Sequence, residues 1–291
     1  MEGFVKMMVP FISDEHPRVR YASLNTLGQM CTDFGPTLQE EYHALILPKL
    51  MTQLESEQVP KVQAHCCACL INWCEDLDPQ SLTPYIQRIM TGLGNVIQHG
   101  QVVAQEQALV ALAAVAECLQ DLFMPFYDAF MPLAKTVFLR ANGKGFRSLQ
   151  GKAIDAITIM ASAVGAEKFR ADGAVILPAM VQMTGVQLQS DDPMLTHLMQ
   201  GWARICRCLK GEFVQFLPVV MPGLLRSAAM MPQTQLANHE NYDNLQEEGC
   251  WNFRTVAGES FAVKTSMQEE KAMACNMIYC YAQYMEEHFV Q

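Results

Sequence analysis

Two stretches of the chain align with each other without a gap. Val19-Arg20-Tyr21-Ala22 through Gln29-Met30-Cys31-Thr32-Asp33 lies 43 residues before Val62-Gln63-Ala64-His65 through Asn72-Trp73-Cys74-Glu75-Asp76, and Pro17 and Pro60 keep the interval. A self-match at this period is the signature of HEAT or armadillo helix pairs. One pair cannot bury its apolar face alone, so neighbours stack into a continuous core. The surface that results holds other macromolecules along its length rather than one substrate in one pocket.

The apolar pattern divides into an outer helix A and an inner helix B, repeated about six times. The expected pairs are Phe4–Ser13 with Pro17–Phe34, Tyr42–Glu55 with Pro60–Leu77, and Leu82–Gln98 with Val102–Leu119. They continue with Phe123–Ala141 and Arg147–Val164, Ala174–Gln189 and Pro193–Leu209, and Phe213–Met230 and Gln268–His288. Ser13-Asp14-Glu15-His16-Pro17 and Ser190-Asp191-Asp192-Pro193 place capping groups before a proline at the first helical turn, where its missing N–H is no loss. Gly35, Gly100 and Gly165 fall where helices should stop. Pro10, Pro48, Pro132, Pro178 and Pro222 recur inside A helices, where a proline bends the helix. The fold class is therefore all-α, an antiparallel HEAT-repeat superhelical solenoid running as one array over 1–291.

One stretch breaks the pattern. From about 231 to 266 the chain is polar and acidic without helical period, and it reads as an inserted loop. Its latter half, Cys250-Trp251-Asn252-Phe253, is aromatic enough to dock on the array. The chain opens directly in an A helix and stops at Phe289-Val290-Gln291, which looks like the start of another repeat. Complete solenoids carry polar caps, so the expectation is a piece of a longer array.

Composition narrows the function. Thirty acids against 20 bases give a net charge of −10. Such a surface repels nucleic acid and anionic membranes and attracts basic partners. No signal-peptide pattern is present, and the longest apolar run, Ala108 to Ala116, is too short for the about 20 residues of a membrane span. Eleven cysteines, mostly inside apolar helical periods, fit core packing in a reducing compartment. Gly143-Lys144-Gly145 and Gly151-Lys152 miss the phosphate-loop spacing and its hydroxyl, since Ala153 follows. Cys66-x-x-Cys69 beside His65 has no second pair for zinc. No nucleophile–base arrangement appears. The reading is therefore a binding protein, not an enzyme, with neither metal nor cofactor.

The exposed face of the B helices is more informative. In the second one, Val62, Cys66, Cys69, Leu70 and Trp73 form the buried stripe. Lys61, His65, Ala68, Asn72 and Glu75 or Asp76 follow another face. The 43-residue register sets Gln29 on Asn72 and Asp33 on Asp76, and a 42-residue step sets Glu117 on Glu75. Packed helices lie about 8–10 Å apart, so these acids should form a ladder suited to lysines a few residues apart on an extended peptide. Amides such as Asn72 would grip the peptide backbone and carboxylates its ammonium groups. Arg204 and Arg207 stand where the earlier repeats carry acids, and together with Glu240, Asp243, Glu247 and Glu248 of the insertion they are possible partner contacts. A solvated polar face is the bland alternative for any one of these residues.

Several runs closely resemble the karyopherin-beta nuclear import receptors, of the importin beta-3 type. They include His16-Pro17-Arg18-Val19-Arg20-Tyr21-Ala22, Gly28-Gln29-Met30-Cys31-Thr32-Asp33-Phe34, Leu70-Ile71-Asn72, Trp202-Ala203-Arg204 and Leu217-Pro218-Val219-Val220-Met221. The matches are collinear across nearly the whole chain. The resemblance implies central HEAT repeats of a longer receptor that shuttles between cytoplasm and nucleus, passes nucleoporins at the pore, and releases basic cargo when Ran in its GTP form binds. It implies that Asp33, Asn72, Glu75, Asp76 and Glu117, with Gln29, take lysine-rich signals. The N-terminal repeats that chiefly bind Ran have no counterpart here, and Cys66-Cys67-Ala68-Cys69 replaces the family's usual alanines. A different class remains open from the residues alone: a HEAT scaffold of the phosphatase-subunit kind, which holds its partners by loop edges.

Overall fold

The computed structural model describes residues 1–75, 77–141, 143–185, 192–231, 234–236, 251–256 and 259–289. They form two compact units, Met1–Asp172 and Gly173–Gln291. In the first, α1 (Glu2–Met8) runs into a 3-10 turn, followed by α2 (Pro17–Asp33), α3 (Thr37–Ser56), α4 (Pro60–Cys74), a single turn α5 (Pro79–Leu82), α6 (Ile86–His99), α7 (Val102–Leu119) and α8 (Met124–Arg140). Helix α9 (Arg147–Gly185) is broken at Gly165, whose φ of 83° is a conformation open to glycine and strained for other residues.

The helices form two layers. α2, α4 and α7 pack side by side as the B layer, and α3, α6 and α8 form the A layer. Each element begins where the sequence supplies a start. Pro17, Pro60 and Pro193 occupy the first turn of α2, α4 and α10. At α2 the cap is a ring nitrogen, because His16 Nδ1 accepts from Arg18 N at 3.2 Å. Pro48 and Pro132 lie inside α3 and α8, and in each the threonine four residues on returns its hydroxyl to the proline carbonyl, at 2.9 and 2.8 Å. Helix α3 begins five residues before the expected Tyr42, because Leu38 and Gln39 are buried and extend its inner face.

Windows within 102–140 and 193–229 are long and apolar enough by composition to cross a membrane, a length that the run-based reading missed. Each is in fact two helices joined by a 3-10 turn, with a positive-φ residue, Gln120 or Lys210, at the break. In the first, the apolar face serves the core: Leu109, Leu112, Val115, Phe123 and Tyr127 are all buried.

The second unit holds α10 (Pro193–Leu209), α11 (Leu217–Ala229) and α12 (Thr265–Met285), with α12 packed on both others. Its core is aromatic: Phe213 lies 6.1 Å from Trp202 and 5.1 Å from Tyr281 between ring centroids. Between α11 and α12, the described part of the expected loop is not irregular. β1 (Thr234–Leu236), β2 (Trp251–Val256) and β3 (Glu259–Lys264) form an antiparallel sheet ordered β1-β3-β2, with Phe253 opposite Ala262. Backbone pairing satisfies there what a helix satisfies elsewhere.

Candidate functional site

The first two B helices of the first unit touch at residues 44 apart, one more than the repeat interval. Tyr21 of α2 stacks on His65 of α4 with ring centroids 3.9 Å apart. One helical span further on, Asn72 Nδ2 donates to Gly28 O at 3.0 Å. A Cβ on Gly28 would sit 3.4 Å from that same nitrogen and 3.6 Å from Cys69 Cα, in ordinary van der Waals contact, so α2 and α4 touch closely at this point. Between α4 and α7, Cys118 Sγ donates to Leu77 O at 3.7 Å. Helices α2, α4 and α7 therefore run parallel with their C-terminal ends at one edge.

The candidate acids collect at that edge. Asp33 is the last residue of α2, Glu75 caps α4, and Glu117 lies in the last turn of α7; all three are exposed. Glu75 and Glu117 line one groove of about 600 Å³, together with Ile71, Ala113, Ala114 and Ile159. Gln29 Nε2 donates to Asp33 Oδ1 at 3.2 Å, which holds that carboxylate one turn above its neighbour amide. Asp76 lies outside the described residues, as do Glu240, Asp243, Glu247 and Glu248.

Two details differ from the expectation. Half of the Asn72 amide is committed to the α2 backbone rather than turned entirely to a partner, because Gly28 exposes its carbonyl where the helices touch. The apolar wall was also not foreseen. Glu75, Glu117 and Ile159 follow one another at 42-residue steps, so the sequence did carry the signal that the acidic row ends in an aliphatic position on α9.

Every helix has a negative C-terminal end, where a carboxylate is disfavoured by about 0.3–1 kcal/mol and a cation favoured by as much. Three acids at three adjacent ends concentrate negative potential that the described residues do not neutralise by an ion pair with Asp33, Glu75 or Glu117. An ammonium group on an aliphatic stem suits both halves of the groove, the stem on Ile71 and Ile159 and the charge on the carboxylates.

Neighbouring groups support the scaffold rather than the site. Arg20 forks onto Glu57, with Nε to Oε2 at 2.7 Å and Nη2 to Oε1 at 3.0 Å, and also donates to Asp14 O and Glu15 O. Burial alone would raise the pKa of Glu57, but the Arg20 fork and the Val59 and Gln53 hydrogen bonds outweigh it and lower it. Cys66, Cys67 and Cys69 are buried, and burial pushes the Cys67 thiol up to about 12, so these side chains pack as neutral thiols. Trp73 is fully buried as well. In the second unit Arg204 is half-buried and donates to Gln200 Oε1 at 3.4 Å, while Arg207 is exposed in the last turn of α10.

The family profile described as importin subunit beta-1-like, TPR repeats, matches residues 39–251, and a HEAT-repeat profile matches residues 4–34. Importin subunit beta-3 of Saccharomyces cerevisiae is 36% identical over 283 residues, covering 97% of this chain and 26% of that protein. The chain thus spans about a quarter of the length of this curated relative. Among solved structures, Kap121p superimposes with a TM-score of 0.90 at 34% identity, over 99% of this chain and 27% of that one. Kap121p bound to Pho4p gives 0.89 at 34% identity with the same coverage, and Kap121p bound to Nup53p gives 0.87.

Proposed function

This chain belongs to the importin-beta family, and from that premise we propose that it is the cargo-binding segment of a nuclear import receptor. It takes lysine-rich nuclear localisation signals on the acidic edge of α2, α4 and α7. The observation that carries this reading is the shared groove of Glu75 and Glu117, walled by Ile71 and Ile159. Neighbouring helices about 8–10 Å apart match every third residue of an extended peptide, which advances about 3.3 Å per residue. Asp33, with Gln29 behind it, and the carboxamide oxygen of Asn72 extend the row. Asp76 adds a fourth acid in the same stretch of sequence. Mechanism here is electrostatic complementarity with no covalent step. One exposed contact contributes only about 0–1 kcal/mol, so affinity requires several in register.

In the whole receptor this segment shuttles between cytoplasm and nucleus, with nucleoporins as transit partners and Ran-GTP as the releasing one. Kap121p, a similar protein, has been solved with Pho4p and with Nup53p bound. Arg204, Arg207 and the acids Glu240, Asp243, Glu247 and Glu248 are proposed as secondary partner contacts.

The test is a fluorescence titration with a lysine-rich peptide. Wild-type binding should weaken steeply with salt, and Glu75→Lys combined with Glu117→Lys should weaken it roughly thirtyfold, as several lost and reversed charge contacts imply. Unchanged affinity in the double variant would remove this surface from consideration. For the full-length receptor, Ran-GTP should release the same peptide; no release would refute the regulatory half alone.

A further inference from the structure

Between the third and fourth helix pairs lies another groove, of about 450 Å³, at the edge where α6 and α8 end and α9 begins. Its walls are apolar, with Ile97, Leu133, Val137, Phe146 and Leu149. Phe146 is 43% exposed although the helix pairs on both sides of it are in place, and Leu133 and Val137 are half-buried. Exposed apolar side chains gathered around one groove, unlike single ones scattered over a surface, mark a docking site. Phe146 is delivered there by the Gly143-Lys144-Gly145 stretch that misses the phosphate-loop spacing, which forms a 3-10 turn after Gly143 at a φ of 97°. That conformation is open to glycine and strained for other residues.

The rim of the groove is cationic. Arg140 and His99 line it, and among the described residues no carboxylate does. The other long cations of α6 and α8 are already paired: Arg88 Nε donates to Glu55 Oε1 at 2.7 Å, and Lys135 bonds to Asp172. Arg140 is exposed, and it has no ion pair or hydrogen bond among the described residues. The negative end of α8 accounts for a cation in its last turn. It does not account for an exposed aromatic ring lining the same groove. The neighbouring amide and hydroxyl are committed elsewhere, since Gln105 Nε2 donates to Ile97 O at 2.9 Å and Thr136 Oγ1 to Pro132 O at 2.8 Å.

We propose that this groove docks a partner peptide in which a bulky apolar residue is flanked by carboxylates. The apolar side chain packs against Phe146, Leu133 and Val137, and a carboxylate takes the guanidinium of Arg140. That planar fork can hold a carboxylate through two parallel N–H···O bonds, and arginine beside an aromatic ring is a composition that dominates docking energies. The acidic edge does not interfere. Gln105 in the groove and Glu117 at that edge are 12 residues apart on α7, roughly 18 Å along the axis at about 1.5 Å per residue. This exceeds the Debye length of about 8 Å at physiological salt. The site stands apart from the lysine-rich ligand, so failure of either reading leaves the other in place.

Three fluorescein-labelled peptides decide it: Gly-Ser-Asp-Phe-Asp-Ser-Gly, the same peptide with Asn-Phe-Asn at its centre, and the same with Asp-Ala-Asp. Each is titrated into the whole chain and followed by fluorescence anisotropy. The Asp-Phe-Asp peptide should bind about tenfold tighter than either control, the scale of one charge-assisted contact or one buried ring. Arg140→Gln should remove the preference for Asp over Asn and keep that for Phe over Ala. Phe146→Ser should do the reverse. Both side chains are exposed, so neither change reaches the core. Equal affinity for the acidic and neutral peptides, no saturable binding at millimolar Asp-Phe-Asp, or a variant that leaves its own preference unchanged overturns the proposal. Should a variant fail to fold, the order of the three peptides on the wild type decides by itself. Sedimentation velocity of the chain alone checks the competing occupant: a dimer that Phe146→Ser returns to monomer would assign the groove to a second copy and overturn the proposal as well.

Discussion

The B helices of the first unit and α10 of the second end in opposite charges. α2 ends on Asp33, α4 on Glu75 and α7 near Glu117, whereas α10 carries Arg207 in its last turn. The helix dipole favours the arginine and disfavours the acids, so α10 obeys the local rule that three successive neighbours break. A rule broken once is noise. Broken at the same place in adjacent repeats, it points to a surface where stability yields to binding. A second contrast lies inside the first unit. Glu57 is as acidic by type, but it is buried and bonded by Arg20, Gln53, Gln58 and Val59, so it serves the fold.

The largest expected effect separates these two kinds of acid. Glu57→Ala leaves Arg20 without its buried partner and should cost about 3–5 kcal/mol in urea unfolding. Glu75→Ala should stay within about 0.5 kcal/mol. Similar losses at both positions would erase the distinction.

Acid titration sharpens the same contrast. The folded-state pKa of Glu57 is lowered from 4.5, so its contribution is present above that value and disappears as pH falls through the depressed one. Glu57→Gln should therefore flatten the acid limb of stability against pH, and Glu75→Gln should leave that limb in place.

The smallest effects test the dipole argument. Glu75→Lys and Glu117→Lys should each stabilise the chain by about 0.3–1 kcal/mol at low salt, while Arg207→Glu should destabilise it by at least as much. Both changes should shrink in high salt. If the two lysine variants prove less stable than wild type, the acids are structural and the reading of the edge fails.

Much of the array was legible in the sequence. The 43-residue self-match identified α2 and α4 as equivalent helices, while the contacts between them, Tyr21 on His65 and Gly28 beside Asn72, fall one residue further apart than that interval. Proline positions and the Asp192 cap located helix starts, because those signals depend only on backbone atoms a few residues away. The strands were missed for a different reason. A search for helical period passes over Trp251–Val256 and Glu259–Lys264, although their β-branched and aromatic residues flanking Ala257-Gly258 form a hairpin pattern.

Periodicity alone determined that this protein stacks parallel B helices and that Asp33, Glu75 and Glu117 come to one edge, since a constant step between repeats sets a constant step in space. Only the tertiary structure decided what each side chain does there. It turned half of the Asn72 amide to Gly28, paired Arg20 with Glu57 across 37 residues, and closed the groove with Ile159. Those outcomes depend on how closely two helices approach and which polar atoms lose water when they meet, and neither quantity is a property of one stretch of sequence.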